Sequence, residues 1–78
     1  MNQFQITIRS FEKVREFISI ATVQPFRVLV GNGAQLVNAK SFIGMVSLDF
    51  SRPLTVTCEC DANSFHSFRQ QVSAFLAS

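Results

Sequence analysis

The sequence has no tryptophan, no tyrosine, one histidine and two cysteines among its 78 residues. Catalytic pairs and metal sites are built mostly from histidine, cysteine and carboxylate side chains that lie close together. A chain whose only histidine is His66 and whose only cysteines are Cys58 and Cys60 offers no such set. We therefore expect no enzymatic activity, no metal site and no cofactor.

The chain also lacks a large excess of positive or negative charge. The chain has 7 lysine and arginine residues against 5 aspartate and glutamate residues, a net charge of +2, and the two signs are interspersed. Proteins that bind nucleic acid usually carry a strong basic patch, so this balance argues against such a partner. No apolar run approaches the roughly 20 residues of a membrane-spanning helix, and the N-terminus lacks the features of a signal peptide. We expect a cytoplasmic protein without membrane contact.

The two cysteines are predicted to be reduced thiols. Two residues apart on one strand, Cys58 and Cys60 point the same way, and their Cα atoms lie ~7 Å apart, which strains a disulfide. The spacing also differs from that of zinc-binding motifs.

Apolar residues alternate along four segments and recur at helical spacing along three others. The predicted strands span residues 3–9, 26–30, 34–38 and 54–60. The predicted helices begin at Ser10, Ser41 and Asp61 or Asn63, and the first two end near Val23 and near Leu48 or Asp49. The Gly31-Asn32-Gly33 stretch predicts a hairpin turn between the second and third strands.

This β-α-β-β-α-β-α order predicts one α+β domain over residues 1–78. Its core is expected where the apolar faces of the first and last strands meet the helical stripes. The strand faces are Phe4, Ile6 and Ile8, and Leu54, Val56 and Cys58. The helical stripes are Val14, Phe17, Ile18 and Ala21, and Phe65, Phe68, Val72, Phe75 and Leu76. Periodicity alone leaves the order of the strands in the sheet open, and a ferredoxin-like sheet is one solution.

The segment 38–48, NAKSFIGMVSL, is the most informative stretch of the chain. A serine at a helix N-cap accepts a hydrogen bond from a backbone N–H that the first turn leaves unpaired, so Ser41 is predicted to start a short helix. At ~100° per residue this helix has two apolar arcs. The first arc consists of Phe42, Ile43 and Val46, and the second consists of Met45 and Leu48. Because a short helix on a sheet buries one arc only, the first is predicted to face solvent or a partner.

This segment resembles the regulatory-serine segment of HPr, the small phosphocarrier protein of the bacterial sugar phosphotransferase system, and the Gram-positive members in particular. The shared order is Asn-x-Lys-Ser, two apolar residues, glycine, two apolar residues and Ser-Leu. The resemblance runs loosely from about Val14 to the C-terminus. It implies an HPr-like open-faced β-sandwich, with a four-stranded antiparallel sheet in the order 1-4-2-3 and three helices covering one face.

The carrier members of that family hold a histidine in a Gly-x-His-x-Arg-Pro loop after the first strand. That histidine takes phosphate from the phosphorylated first enzyme of the system, and helix N–H groups and a nearby arginine stabilise the phosphate. Here the predicted strand ends at Arg9, and Ser10 opens the helix at once. The histidine, its arginine and the proline have no counterparts. The resemblance therefore implies a divergent member that does not carry phosphohistidine.

In the resembling proteins the serine that matches Ser41 is phosphorylated by an ATP-dependent kinase, and the product binds a transcriptional regulator. A phosphoserine brings about −1.5 to −2 charge to the positive end of a helix dipole. The alternative is that Ser41 only caps its helix. The resemblance makes Ser41 the candidate for regulatory phosphorylation, and Lys40, Phe42, Ile43 and Val46 the candidate protein-binding surface. The implied partner is a phosphotransferase-system enzyme, a kinase or a transcriptional regulator.

Two other functions stay open. His66 lies off the apolar stripe of the last helix and is either the relocated acceptor of an active carrier or a solvated surface residue. A homo-oligomer that hides the exposed arc in a self-contact is the third possibility. The leading hypothesis is a regulatory, protein-binding module, as a monomer or weak homo-oligomer, with the N-terminal end of the first helix beside the Ser41 helix.

Overall fold

The computed structural model describes residues 2–77, and its elements follow the predicted order. The strands are β1 (Asn2–Ile6), β2 (Arg27–Gly31), β3 (Leu36–Asn38) and β4 (Leu54–Glu59). The helices are α1 (Phe11–Thr22), α2 (Phe42–Val46) and α3 (Ala62–Gln71), and a 3-10 turn (Ser73–Phe75) follows α3. Within residues 2–77, no helix combines the length and the apolar character that crossing a membrane requires.

The four strands form one antiparallel sheet in the order β1-β4-β2-β3. β4 lies inside the sheet and pairs with both β1 and β2, so that Phe4 faces Val56 and Val28 faces Cys58. This is the strand order that the resemblance implied. The ferredoxin-like alternative, which would place β1 inside the sheet, is wrong.

The core lies between one face of the sheet and the three helices, as predicted. Phenylalanine rings fill its centre. Phe68 contacts the rings of Phe4, Phe17 and Phe26, and Phe17 also contacts Phe75, with centroid distances of 5.6–6.2 Å. All the predicted strand-face residues are buried. Three of the helical-stripe residues, Ile18, Phe65 and Leu76, are only partly buried at the rim of this core.

Three strands are shorter than the sequence pattern predicted. β4 ends one residue early, at Glu59, and the ends of β1 and β3 have other hydrogen-bond partners. β2 has the predicted length but is shifted by one residue. β1 stops at Ile6 since the Thr7 amide donates to the Phe75 carbonyl at 2.7 Å, and the C-terminal segment covers the edge of β1. β3 starts at Leu36 because the amides of residues 34 and 35 both donate to the Asn32 side chain in the turn. Gly33, with φ of +93°, supplies the left-handed conformation that this turn needs.

The helix boundaries are set by side-chain caps. Ser10 caps α1 by accepting a hydrogen bond from the Lys13 amide, and Asp61, rather than Asn63, caps α3 by accepting one from the Ser64 amide at 2.8 Å. α2 ends at Val46, earlier than the predicted Leu48 or Asp49. The Ser47 hydroxyl donates to the Gly44 carbonyl at 2.6 Å and so closes the helix.

Two neighbouring positions of α2 test this packing. We expect Met45→Ala to lower the free energy of unfolding by about 2–5 kcal/mol, because the Met45 side chain is fully buried and its removal leaves a cavity. Ile43→Ala, at a side chain that is 78% exposed, should change the unfolding free energy by no more than about 0.5 kcal/mol. Urea unfolding followed by circular dichroism measures both. Equal losses would mean that α2 is turned differently on the core.

Candidate functional site

Ser41 starts α2, as predicted, and the preceding turn holds it in place. Its backbone is extended, with φ −98° and ψ 113°, and its hydroxyl accepts a hydrogen bond from the Gly44 amide at 3.2 Å. The Asn38 side chain accepts from the Lys40 amide at 2.8 Å, and the Asn38 carbonyl accepts from the Ser41 amide at 2.9 Å. Ser41 is nevertheless solvent-exposed. Its hydroxyl is thus a structural cap on a residue that lies at the protein surface.

The two arcs of α2 separate as the sequence predicted, with one difference. Met45 is fully buried and Leu48 is 5% exposed, whereas Phe42 is 44% exposed and Ile43 is 78% exposed. Val46 was predicted to share the exposed arc, but it is only partly exposed and packs against the core. The exposed arc therefore consists of Phe42 and Ile43.

A third exposed apolar side chain, Phe11, extends this surface. Phe11 is the first residue of α1 and is 56% exposed, and its ring meets the ring of Phe42 edge to face, with the centroids 5.6 Å apart. We call Phe11, Phe42 and Ile43 the apolar patch. Sequence reasoning had placed the N-terminal end of α1 beside α2 but had not singled out Phe11. The available signal was its position directly after the Ser10 cap, outside the buried stripe.

Lys40, the other predicted binding residue, is tied to the fold. Its ammonium group donates a hydrogen bond to the Gln24 carbonyl at 2.7 Å, just beyond the end of α1. α1 has no basic residue in its last turn, so Lys40 supplies the positive charge that stabilises this end of a helix. The Gln24 side chain in turn donates to the Ile20 carbonyl and to the Gln71 side chain. Lys40 thus anchors the turn before Ser41.

Comparison with known proteins gives a match in structure and none in sequence. No family model matches the chain, and no curated protein matches it. The crystal structure of HPr-C-His from Thermoanaerobacter tengcongensis superposes with a TM-score of 0.75 at 20% identity, covering 95% of this chain and 93% of that one. The phosphocarrier protein HPr from Bacillus anthracis str. Ames superposes with a TM-score of 0.73 at 18% identity, covering 96% of this chain and 93% of that one. The chain has the HPr fold.

Within this HPr fold, the start of α1 is where the resemblance placed the carrier histidine. The chain forms a small hollow here, and no histidine lines it. Its lining residues are Thr7, Ile8, Arg9, Ser10, Phe11, Phe50 and Ser51. His66 instead lies exposed on α3 and does not border the hollow. The hollow therefore holds no side chain that could accept phosphate as an imidazole does.

The two thiols of this HPr-like chain are free and lie at one end of β4, as predicted. Burial, with a smaller effect of the neighbouring Cys60, raises the pKa of the Cys58 thiol to about 12. Burial also raises the pKa of Cys60, although a hydrogen bond from Asn2 opposes the shift. Thiols with raised pKa values stay protonated near neutral pH and are poor nucleophiles. Neither cysteine is therefore a candidate catalytic group.

Ser41 as a cap makes a stability prediction. We expect Ser41→Ala to lower the free energy of unfolding by about 1 kcal/mol, because the Gly44 amide loses its acceptor. Ser41→Asp should stay near the parent value, since a carboxylate also caps a helix. Urea unfolding of the two variants gives the comparison. If alanine and aspartate behave alike, the cap does not stabilise α2.

The thiols predict an order of chemical reactivity. At pH 8, iodoacetamide should alkylate Cys60 before Cys58 in the folded protein, because Cys58 is 2% exposed and its raised pKa keeps it protonated. In urea both should react at similar rates. Peptide mass spectrometry at timed intervals reports the two sites separately. Equal rates in the folded protein would show that the end of β4 opens readily.

Proposed function

We propose that this chain is a regulatory, protein-binding member of the HPr phosphocarrier family that does not carry phosphohistidine. The observation that supports this is the apolar patch beside the exposed Ser41 hydroxyl. The proposed partner is a protein, either a phosphotransferase-system enzyme, a kinase or a transcriptional regulator. The chain itself is proposed to act without catalysing a reaction and without a cofactor.

The apolar patch has the features of a protein contact. Two of its three side chains are aromatic, and aromatic anchors contribute much of the energy of protein interfaces. The edge-to-face contact of Phe11 with Phe42 orders both rings before any partner arrives. An ordered side chain loses less conformational entropy on binding than a mobile one. Met45 and Leu48, on the other apolar arc of the same segment, are buried, so the segment that carries Phe42 and Ile43 is held against the core.

Ser41 is proposed to regulate this contact. A kinase would transfer the γ-phosphoryl group of ATP to the Ser41 oxygen, releasing ADP and the hydroxyl proton. The product places about −1.5 to −2 charge next to Phe42, at the positive end of α2. A partner that covers the patch with apolar groups would then have to desolvate that charge. A partner that presents arginine or lysine would gain from it.

The absence of histidine from the hollow at α1 supports the loss of carrier function. Phosphate exchange between histidines needs an imidazole close to helix N–H groups, and here Ser10 occupies the capping position of α1. The Ser10 hydroxyl already accepts the Lys13 amide. His66 on α3 has no such surroundings. These features favour a regulatory role over an active carrier.

Two phosphorylation routes distinguish the regulatory role from the carrier. With ATP and an HPr kinase, the protein should gain one phosphate that survives acid, and Ser41→Ala should abolish it. With phosphoenolpyruvate and the first enzyme of the phosphotransferase system, it should gain no acid-labile phosphate. Intact-mass spectrometry before and after acid treatment measures both products. Phosphorylation of Ser41→Ala at the parent rate would rule out Ser41, and acid-labile phosphate that His66→Ala removes would establish a carrier.

The apolar patch has its own control in the ATP assay. Ile43→Ser should lower kcat/KM of the kinase reaction if the patch contacts the kinase, while the Gly44–Ser41 cap stays intact. Leu36→Ser is the matched control, because Leu36 is a similarly exposed aliphatic residue, 62% exposed, on β3. Equal effects of the two substitutions would remove the patch from the proposal.

A further inference from the structure

The face of the sheet that the helices leave uncovered is a second surface, separate from the apolar patch. The two inner strands, β4 and β2, present alternate residues on it. β2 contributes Arg27, Leu29 and Gly31, and β4 contributes Thr55, Thr57 and Glu59. We call this surface the open face. It is uncharged over most of its area, with the charges Arg27 and Glu59 at one end.

Arg27 and Glu59 are directly opposite each other across the middle of the sheet. They are cross-strand partners in the β2–β4 register, and the next partners on the same face are Leu29 and Thr57. In the part of the chain that the structure describes, no ion pair within 4.0 Å joins Arg27 to Glu59. The ion pair that those residues do contain joins Lys13 to Glu16 on α1. Both charges on the open face are thus available to groups outside the chain.

The sheet order places these residues symmetrically. With the order β1-β4-β2-β3, the midline of the sheet runs between β4 and β2. Consider two copies packed with their open faces together and related by a twofold axis that runs parallel to the strands along this midline. In this arrangement β2 of one copy lies over β4 of the other. Arg27 of each copy then faces Glu59 of the other, and Leu29 faces Thr57. We propose that the open face binds a second copy of this chain through this isologous contact.

The shape of the open face fits this arrangement. A trough on this face is lined by Thr55 and Thr57 of β4, together with Leu29 of β2 and Leu36 of β3. The half-buried Leu29 stands on β2, so the twofold axis brings the Leu29 side chain of the second copy over the trough. Thr57 is 9% exposed, and its hydroxyl accepts a hydrogen bond from the Gln3 side chain at 3.1 Å. The Thr57 oxygen therefore keeps a hydrogen-bond donor within its own chain when this face is covered.

Charge selects this axis over the others. A twofold axis across the strands would place Arg27 and Glu59 against uncharged residues at the far end of the second sheet, so neither would meet an opposite charge of the second copy. The contact is also small. Four strands ~4.8 Å apart and about five residues long cover an area well below the ~800 Å² that each partner buries in a standard interface. We therefore expect weak association that is visible only in concentrated solution.

Charge substitutions test the pairing directly. Sedimentation equilibrium of the full chain over a concentration series should show weak self-association, and amide shifts of Leu29 and Thr57 should move with concentration. Arg27→Glu sets glutamate against glutamate at both symmetric positions, and Glu59→Arg sets arginine against arginine. Each should weaken self-association at least about tenfold. An equimolar mixture of the two variants should associate at the parent level, because each copy again meets the opposite charge.

The controls separate this contact from general charge effects and from the apolar patch. Arg69→Glu changes the net charge as Arg27→Glu does, but on α3, and should leave self-association unchanged. Thermal unfolding confirms that every variant is folded. A monomer at the highest concentration, self-association of the single variants at the parent level, or a mixture that stays monomeric would each overturn the proposal. Loss of association in Ile43→Ser with Arg27→Glu unaffected would move the self-contact to the apolar patch and likewise overturn it.

Discussion

The burial of the Met45 side chain, between α2 and the rest of the core, is the contact on which the candidate site depends. α2 has only five residues, so one fully buried side chain fixes which way the helix is turned on the sheet. Because Met45 and Leu48 are both buried in the core, Phe42 and Ile43 lie on the side of the segment that faces solvent. The exposed apolar pair is therefore a consequence of how the core is packed, and it persists without any partner. Such a surface is stable enough to be used for binding and does not require a conformational change to form.

The joining of α1 and α2 at the apolar patch follows from a repeated local arrangement. Each helix begins with a serine cap followed by a phenylalanine, Ser10-Phe11 and Ser41-Phe42. In both helices the buried stripe starts a few residues later, so the phenylalanine in the first turn lies at the rim of the core. The fold brings the two rims together, and the rings meet edge to face. The patch is thus a product of tertiary structure, although each half is local.

Local chemistry was sufficient to predict which elements form and their order, the Ser10 and Ser41 caps, and most of the buried residues. Alternation located β1 and β4, and Ser41 was identified as a cap from its residue type and from the apolar run after it. The strand order was not accessible in this way, because register between distant strands depends on the whole core; it came from the resemblance. For a related reason the exposure of Val46 was predicted wrongly and Phe11 was not singled out. Helical spacing gives the angle of a side chain around its own helix, but its exposure depends on how close the neighbouring helix and the sheet lie.

The geometry of the sheet keeps the two proposed contacts independent. All three helices cover one face, so the apolar patch on α1 and α2 lies on the side of the molecule away from the open face. A second copy bound at Arg27 and Glu59 would leave Ser41 and the patch accessible in both copies. The dimer would then present two patches that point outward in opposite directions. Because the two patches point in opposite directions, one partner molecule could not cover both, and each copy in the dimer would bind its own partner.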